Sequence, residues 1–66
     1  MSITIKRKSA GQYYVKENPD IVIYNPKVAY GEDYEQWITS GMGHGDSSRT
    51  KKEAVEYAQW IYDNTK

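Results

Sequence analysis

Near the start of the chain, apolar and polar positions alternate. Ile3, Ile5 and Arg7 interleave with Thr4, Lys6 and Lys8, and Tyr13 and Val15 interleave with Tyr14 and Lys16. A period of two marks strands with one buried and one wet face, so the two runs predict a hairpin. Ser9-Ala10-Gly11 between them suits a three-residue loop with glycine in the left-handed position. That register sets Ile5 opposite Val15 and Lys6 opposite Tyr14, whereas a slip of one residue would mix the two faces. Asn18-Pro19-Asp20 then reads as a turn and Ile21-Val22-Ile23-Tyr24 as a third strand, stopped by Asn25-Pro26. With a three-residue turn, Ile21 and Ile23 join Ile5 and Val15 inside and Tyr24 lies opposite Tyr14 on the outer face. A four-residue turn reverses this.

Residues 27–34 mix apolar and acidic positions and read as a loop or an irregular hairpin arm. Glu35 to Ser40, centred on Trp37 and Ile38, is the last strand expected. Gly41-Met42-Gly43-His44-Gly45 then breaks regular structure. Thr50 followed by Glu53 is a T-x-x-E capping box, in which paired side chains satisfy free N–H groups of a first helical turn. In the helix that follows, Ala54, Ala58 and Ile61 share one stripe. Tyr57 flanks it on one side and Val55 and Tyr62 on the other. Trp60 falls outside the stripe beside Glu53 and Glu56. The expected architecture is α+β, one domain over residues 1–66: a small antiparallel meander of three to four strands packed against one C-terminal helix.

The segment Gln36-Trp37-Ile38-Thr39, a glycine loop and Thr50-Lys51-Lys52-Glu53-Ala54 resembles the strand-to-helix step of the sheet-plus-helix arm-binding domains of phage integrases. The resemblance covers about a third of the chain and carries no functional residue with it.

Composition changes the picture of the core. The 66 residues contain no Cys, Leu or Phe, and only six Ile and four Val, but seven Tyr and two Trp. A chain this short holds one marginal core without disulfides, so tyrosine and tryptophan must supply much of the burial while each keeps a polar edge satisfied. The opening residues lack the apolar run of a signal peptide and no window approaches a membrane span. The expected setting is the cytoplasm, away from membranes.

Nine basic and nine acidic residues give a net charge of zero, which removes the long-range field of a generic nucleic-acid binder. Catalysis is not expected. His44, Asp46 and Ser47 sit in one glycine-rich stretch, whereas a nucleophilic triad draws its members from separate elements. One histidine and no cysteine leave a transition metal short of ligands, and no cofactor fingerprint is met, since Asp46 follows Gly45 where a phosphate loop needs Lys. Two kinds of binding remain. Tyr30, Tyr34, Trp60 and Tyr62 are candidates for an unidentified protein partner, because such rings dominate interface energetics. Alternatively, Lys6, Lys8, Tyr14, Lys16 and Tyr24 on the outer sheet face, with Arg49, Lys51 and Lys52 at the helix start, could stack bases and hold phosphates. Homo-oligomers are a further option for a small sheet with open edges.

Overall fold

The computed structural model describes residues 3–65. Strands β1 (Ile5–Ser9), β2 (Gln12–Val15) and β3 (Asn18–Tyr24) are followed by the short helix α1 (Pro26–Tyr30). Strands β4 (Trp37–Gly41) and β5 (His44–Ser48) then lead into helix α2 (Lys51–Asn64). The strands form one antiparallel sheet in the order β1-β2-β3-β4-β5. The α+β meander with a C-terminal helix is as expected, with one more strand.

That strand comes from the glycine-rich stretch. Met42 and Gly43 both adopt positive φ, 52° and 82°, as in the two-residue turn whose twist matches flanking strands. Gly41 then pairs with His44 and the ladder runs to Trp37 and Ser48. His-Gly-Asp-Ser-Ser has neither alternation nor strand propensity, so only pairing with β4 makes it a strand. The glycines therefore close a hairpin where the pattern suggested a break, and the resemblance to a strand–loop–helix step ends there. Gly41 has a second role. A methyl on it would lie 2.6 Å from the Asp20 carbonyl oxygen and 2.7 Å from Ile21 Cα, at φ +154°, so β3 and β4 approach here only because Cβ is missing.

The first hairpin has the expected register, with Ile5 opposite Val15 and Lys6 opposite Tyr14, and Gly11 is left-handed at φ 72°. The next turn differs. It is Lys16-Glu17, and β3 already begins at Asn18, with a register shift between Tyr14 and Val15. Ile21 and Ile23 still point inward, but Tyr14 faces Val22, and Tyr24 faces Gln12 rather than Tyr14. Between the pairs Tyr14–Val22 and Val15–Asn18, β2 advances one residue and β3 four, so Pro19, Asp20 and Ile21 are taken up in an irregularity of the ladder.

The unforeseen α1 is a capped single turn. The Asn25 side-chain oxygen accepts from the Lys27 and Val28 N–H groups at 3.1 and 3.4 Å, Pro26 occupies the first turn, and Gly31 closes the helix in a left-handed conformation. Five residues are too few to show a 3.6 period, which is why the segment read as a loop.

Ala54, Ala58 and Ile61 of α2 are fully buried against Val15, Ile21 and Ile23. Around them pack Ile3, Ile5, Tyr13, Trp37, Val55, Tyr57 and Tyr62. Thr50 caps α2, its hydroxyl oxygen accepting from the Glu53 N–H at 3.2 Å and lying 3.4 Å from the Glu53 carboxylate. Thr39 is the buried polar side chain at the seam, and its hydroxyl donates to the Ala54 carbonyl at 3.1 Å.

Two outcomes follow for stability. Ile61→Ala should cost about 2–5 kcal/mol in urea denaturation, enough to unfold most of so small a domain, whereas Thr39→Val should cost about 1 kcal/mol. Acid should also loosen one end of the sheet. The Thr4 N–H donated to Glu17 at 2.7 Å holds that carboxyl below its usual range. A lowered folded-state pKa gives stability that is present above the unfolded value and lost as pH falls through the folded one. Glu17→Gln should therefore flatten the acid limb of the stability curve and lower the neutral-to-basic limb without changing its slope.

Candidate functional site

Helix α2 packs on one side of the sheet, and among the described residues no second long element covers the other. Two cross-strand rows define its surface: Lys6, Tyr14, Val22, Ser40 and Gly45, and beside them Gln12, Tyr24, Ile38 and Ser47. Side chains opposite one another on a face interact directly, so Lys6 lies along Tyr14, and Tyr14 along Val22. Neither row carries a carboxylate. Two shallow hollows lie on this face, one of about 280 Å³ lined by Lys8, Tyr14, Pro19 and Val22, the other of about 270 Å³ lined by Lys8, Gln12, Tyr24 and Tyr30 among others. Lys8 contributes to both.

Tyr30 reaches the hollow because α1 is seated on the first hairpin. Asn25 N–H donates to the Gly11 carbonyl at 2.8 Å, and a methyl on Gly11 would lie 2.8 Å from both the Ala29 nitrogen and Val28 Cβ. With α1 held so close, the Tyr30 ring meets Tyr24 edge-on at 6.0 Å and 69°, an attractive geometry for aromatic pairs. Tyr30 remains 60% exposed. A protein-partner candidate thus shares one surface with Tyr14, Tyr24, Lys6 and Lys8.

The other candidates are elsewhere. Lys16 is in the β2–β3 turn, its N–H donating to the Thr4 carbonyl at 2.8 Å. Tyr34 is exposed in the segment before β4, its hydroxyl 3.4 Å from the Gln36 side chain. Tyr62 packs against the core. Trp60 stacks on Tyr57, with centroids 5.8 Å apart and planes 6° apart, and stands perpendicular to His44 at 5.2 Å, so it folds over the β5 edge while staying 47% exposed. At the start of α2, Lys51 lies 4.0 Å from the centre of the Tyr13 ring, a cation–π contact that gives this cation a local role. Lys52 is exposed, and Arg49 lines a groove between β5 and α2.

That groove, about 630 Å³, is lined by Asp46, Ser47 and Ser48 of β5 and by Glu53, Glu56, Tyr57 and Trp60 of α2, together with Gln36 and Arg49. Its helical wall was partly visible in the sequence, since residues 53, 56, 57 and 60 follow the three- and four-residue spacing of one helix face. Its strand wall was hidden with β5.

His44 is engaged with Trp60, and the Asp46 carboxylate accepts from the Ser47 N–H at 2.8 Å. Among the described residues no three His, Cys, Asp or Glu side chains are grouped to hold a metal, and no helix is long and apolar enough to cross a membrane. Compared with family models, curated proteins and solved structures, the chain matches none.

The close seating of α1 has a measurable consequence. Gly11→Ala should displace α1 and cost about 1–3 kcal/mol through the added methyl and the positive φ. The Tyr24–Tyr30 ring contacts should disappear from the NMR spectrum while the α2 contacts to β3 and β4 persist.

Proposed function

We propose that this chain is a small non-enzymatic module that binds a protein partner through its uncovered sheet face, with Tyr14, Tyr24 and Tyr30 as the anchoring rings. One observation supports this above all: half-buried Tyr14 and Tyr24, exposed Tyr30 and the aliphatic Val22 and Ile38 share a face over which no second long element lies among the described residues. Rings of this kind bury large area at low entropic cost, and interfaces concentrate their energy in a few of them. Lys6 and Lys8 at the margin, with no carboxylate in the two rows, suit a partner segment that carries acidic residues beside its apolar ones.

A second reading rests on the same lysines. Tyr14 lies between Lys6 and Val22 on an open antiparallel sheet, and alternating rings and cations on such a face can stack single-stranded bases and hold the intervening phosphates.

Affinity capture from the native host with wild-type protein and a Tyr14→Ala/Tyr24→Ala double variant tests the first reading. A partner should be held by the wild type and lost from the variant, whose denaturation midpoint should stay close to wild type. Retention of every captured protein by the variant would remove the sheet face as the binding surface. Titration with single-stranded DNA and RNA across salt tests the second. Affinity should fall with salt, and Tyr14→Ala should cost about 1–3 kcal/mol; no binding at low salt eliminates it.

A further inference from the structure

The groove between β5 and α2 shares Ser47 with the uncovered face but has different chemistry. Three carboxylates, Asp46, Glu53 and Glu56, line it against a single cation, Arg49. Among the described residues the ion pair is Lys27–Glu35, so none of those three carboxylates has a cation in ion-pair reach. Asp46 and Glu53 take hydrogen bonds from the Ser47 N–H and the Thr50 hydroxyl, which leaves their charges uncompensated. Trp60, stacked on Tyr57 and braced by His44, presents an exposed ring in the same wall.

The strand that walls the groove, β5, is also an outer edge of the sheet. In the β4–β5 hairpin the two-residue turn makes Gly41 and His44 the closing pair, and antiparallel alternation then directs the backbone N–H and C=O of Gly45 and Ser47 away from β4. The Ser47 N–H is occupied by Asp46, which fits that orientation. Both groups of Gly45 and the Ser47 carbonyl are left at an edge where Gly45 adds no side-chain obstruction. The opposite edge is different: β1 carries Lys6, Arg7 and Lys8 in five residues, the kind of charge density that discourages strand addition, whereas β5 carries no cation.

We propose that the β5 edge and the groove beside it receive an extended basic segment of a partner protein. Its backbone would continue the sheet at Gly45 and Ser47. An Arg or Lys side chain would lie over Trp60, with its cationic head toward Glu53 and Glu56. Charge complementarity selects this occupant: an acidic segment would meet three unpaired carboxylates, and a purely apolar one would leave them desolvated without partners. The assignment is independent of what the uncovered face binds.

The test uses the full chain and two short labelled peptides, one alternating Arg with Thr and the other Glu with Thr. The Arg peptide should bind at low salt, weaken as salt rises, quench or shift Trp60 fluorescence and slow exchange of the Gly45 amide. Glu53→Gln and Glu56→Gln, both at exposed positions, should each weaken it by about two- to fivefold, and Trp60→Ala by more, while Tyr14→Ala should leave it unchanged. Three results overturn the proposal: equal binding of both peptides, affinity unmoved by either glutamine variant, or slowed exchange confined to β2 and β3 amides. Concentration-dependent sedimentation of the chain alone that Glu56→Gln abolishes would also overturn it, since the groove would then hold the basic β1 edge of a second copy.

Discussion

The seam where Ala54, Ala58 and Ile61 meet Val15, Ile21 and Ile23 carries the fold. Alanines at two of the three central helical positions let α2 sit close to the sheet, so a few isoleucines and one valine can fill the gap. Thr39 bridges it with a hydroxyl bond to the Ala54 carbonyl. Since one helix can cover only one side of five strands, burial there leaves the opposite face open. The uncovered surface is a direct consequence of how the core is made.

The scarcity of aliphatic residues decides what lies on each side of that seam. Tyr13 and Trp37 pair at 6.0 Å on the helix side, and Lys51 lies over the Tyr13 ring. On the far side Tyr14, a neighbour in the same strand, faces solvent with Val22 and Lys6. Strand alternation thus sorts adjacent tyrosines into a structural ring and a surface ring. The phenolic hydroxyl makes either placement tolerable, because it can remain wet at the rim of a thin core.

Charge is also sorted, although the sum is zero. Lys6, Arg7 and Lys8 gather on β1, while Asp46, Glu53 and Glu56 line the groove between β5 and α2 with Arg49. Net charge is a sum and carries no information about where opposite signs sit. Only the antiparallel order, with β1 and β5 at opposite ends of the sheet, separates the basic edge from the acidic groove.

By itself the sequence determined the features set by local chemistry. The β1–β2 register follows from alternation and Gly11, the start of α2 from Thr50 and Glu53, and the buried stripe from residues 54, 58 and 61; each depends on neighbours within a turn or a hairpin. The inward aim of Ile21 and Ile23 was legible too, though the bulge that pairs Tyr24 with Gln12 was not. What the tertiary structure decided depends on contacts distant in sequence. β5 exists because β4 pairs with it across a Met42-Gly43 turn, α1 holds because Gly11 leaves room for it, and Tyr30 and Trp60 acquire surroundings only from those two elements. The pattern of a chain records which side chains avoid water, but a surface is made by whichever elements tertiary pairing brings together.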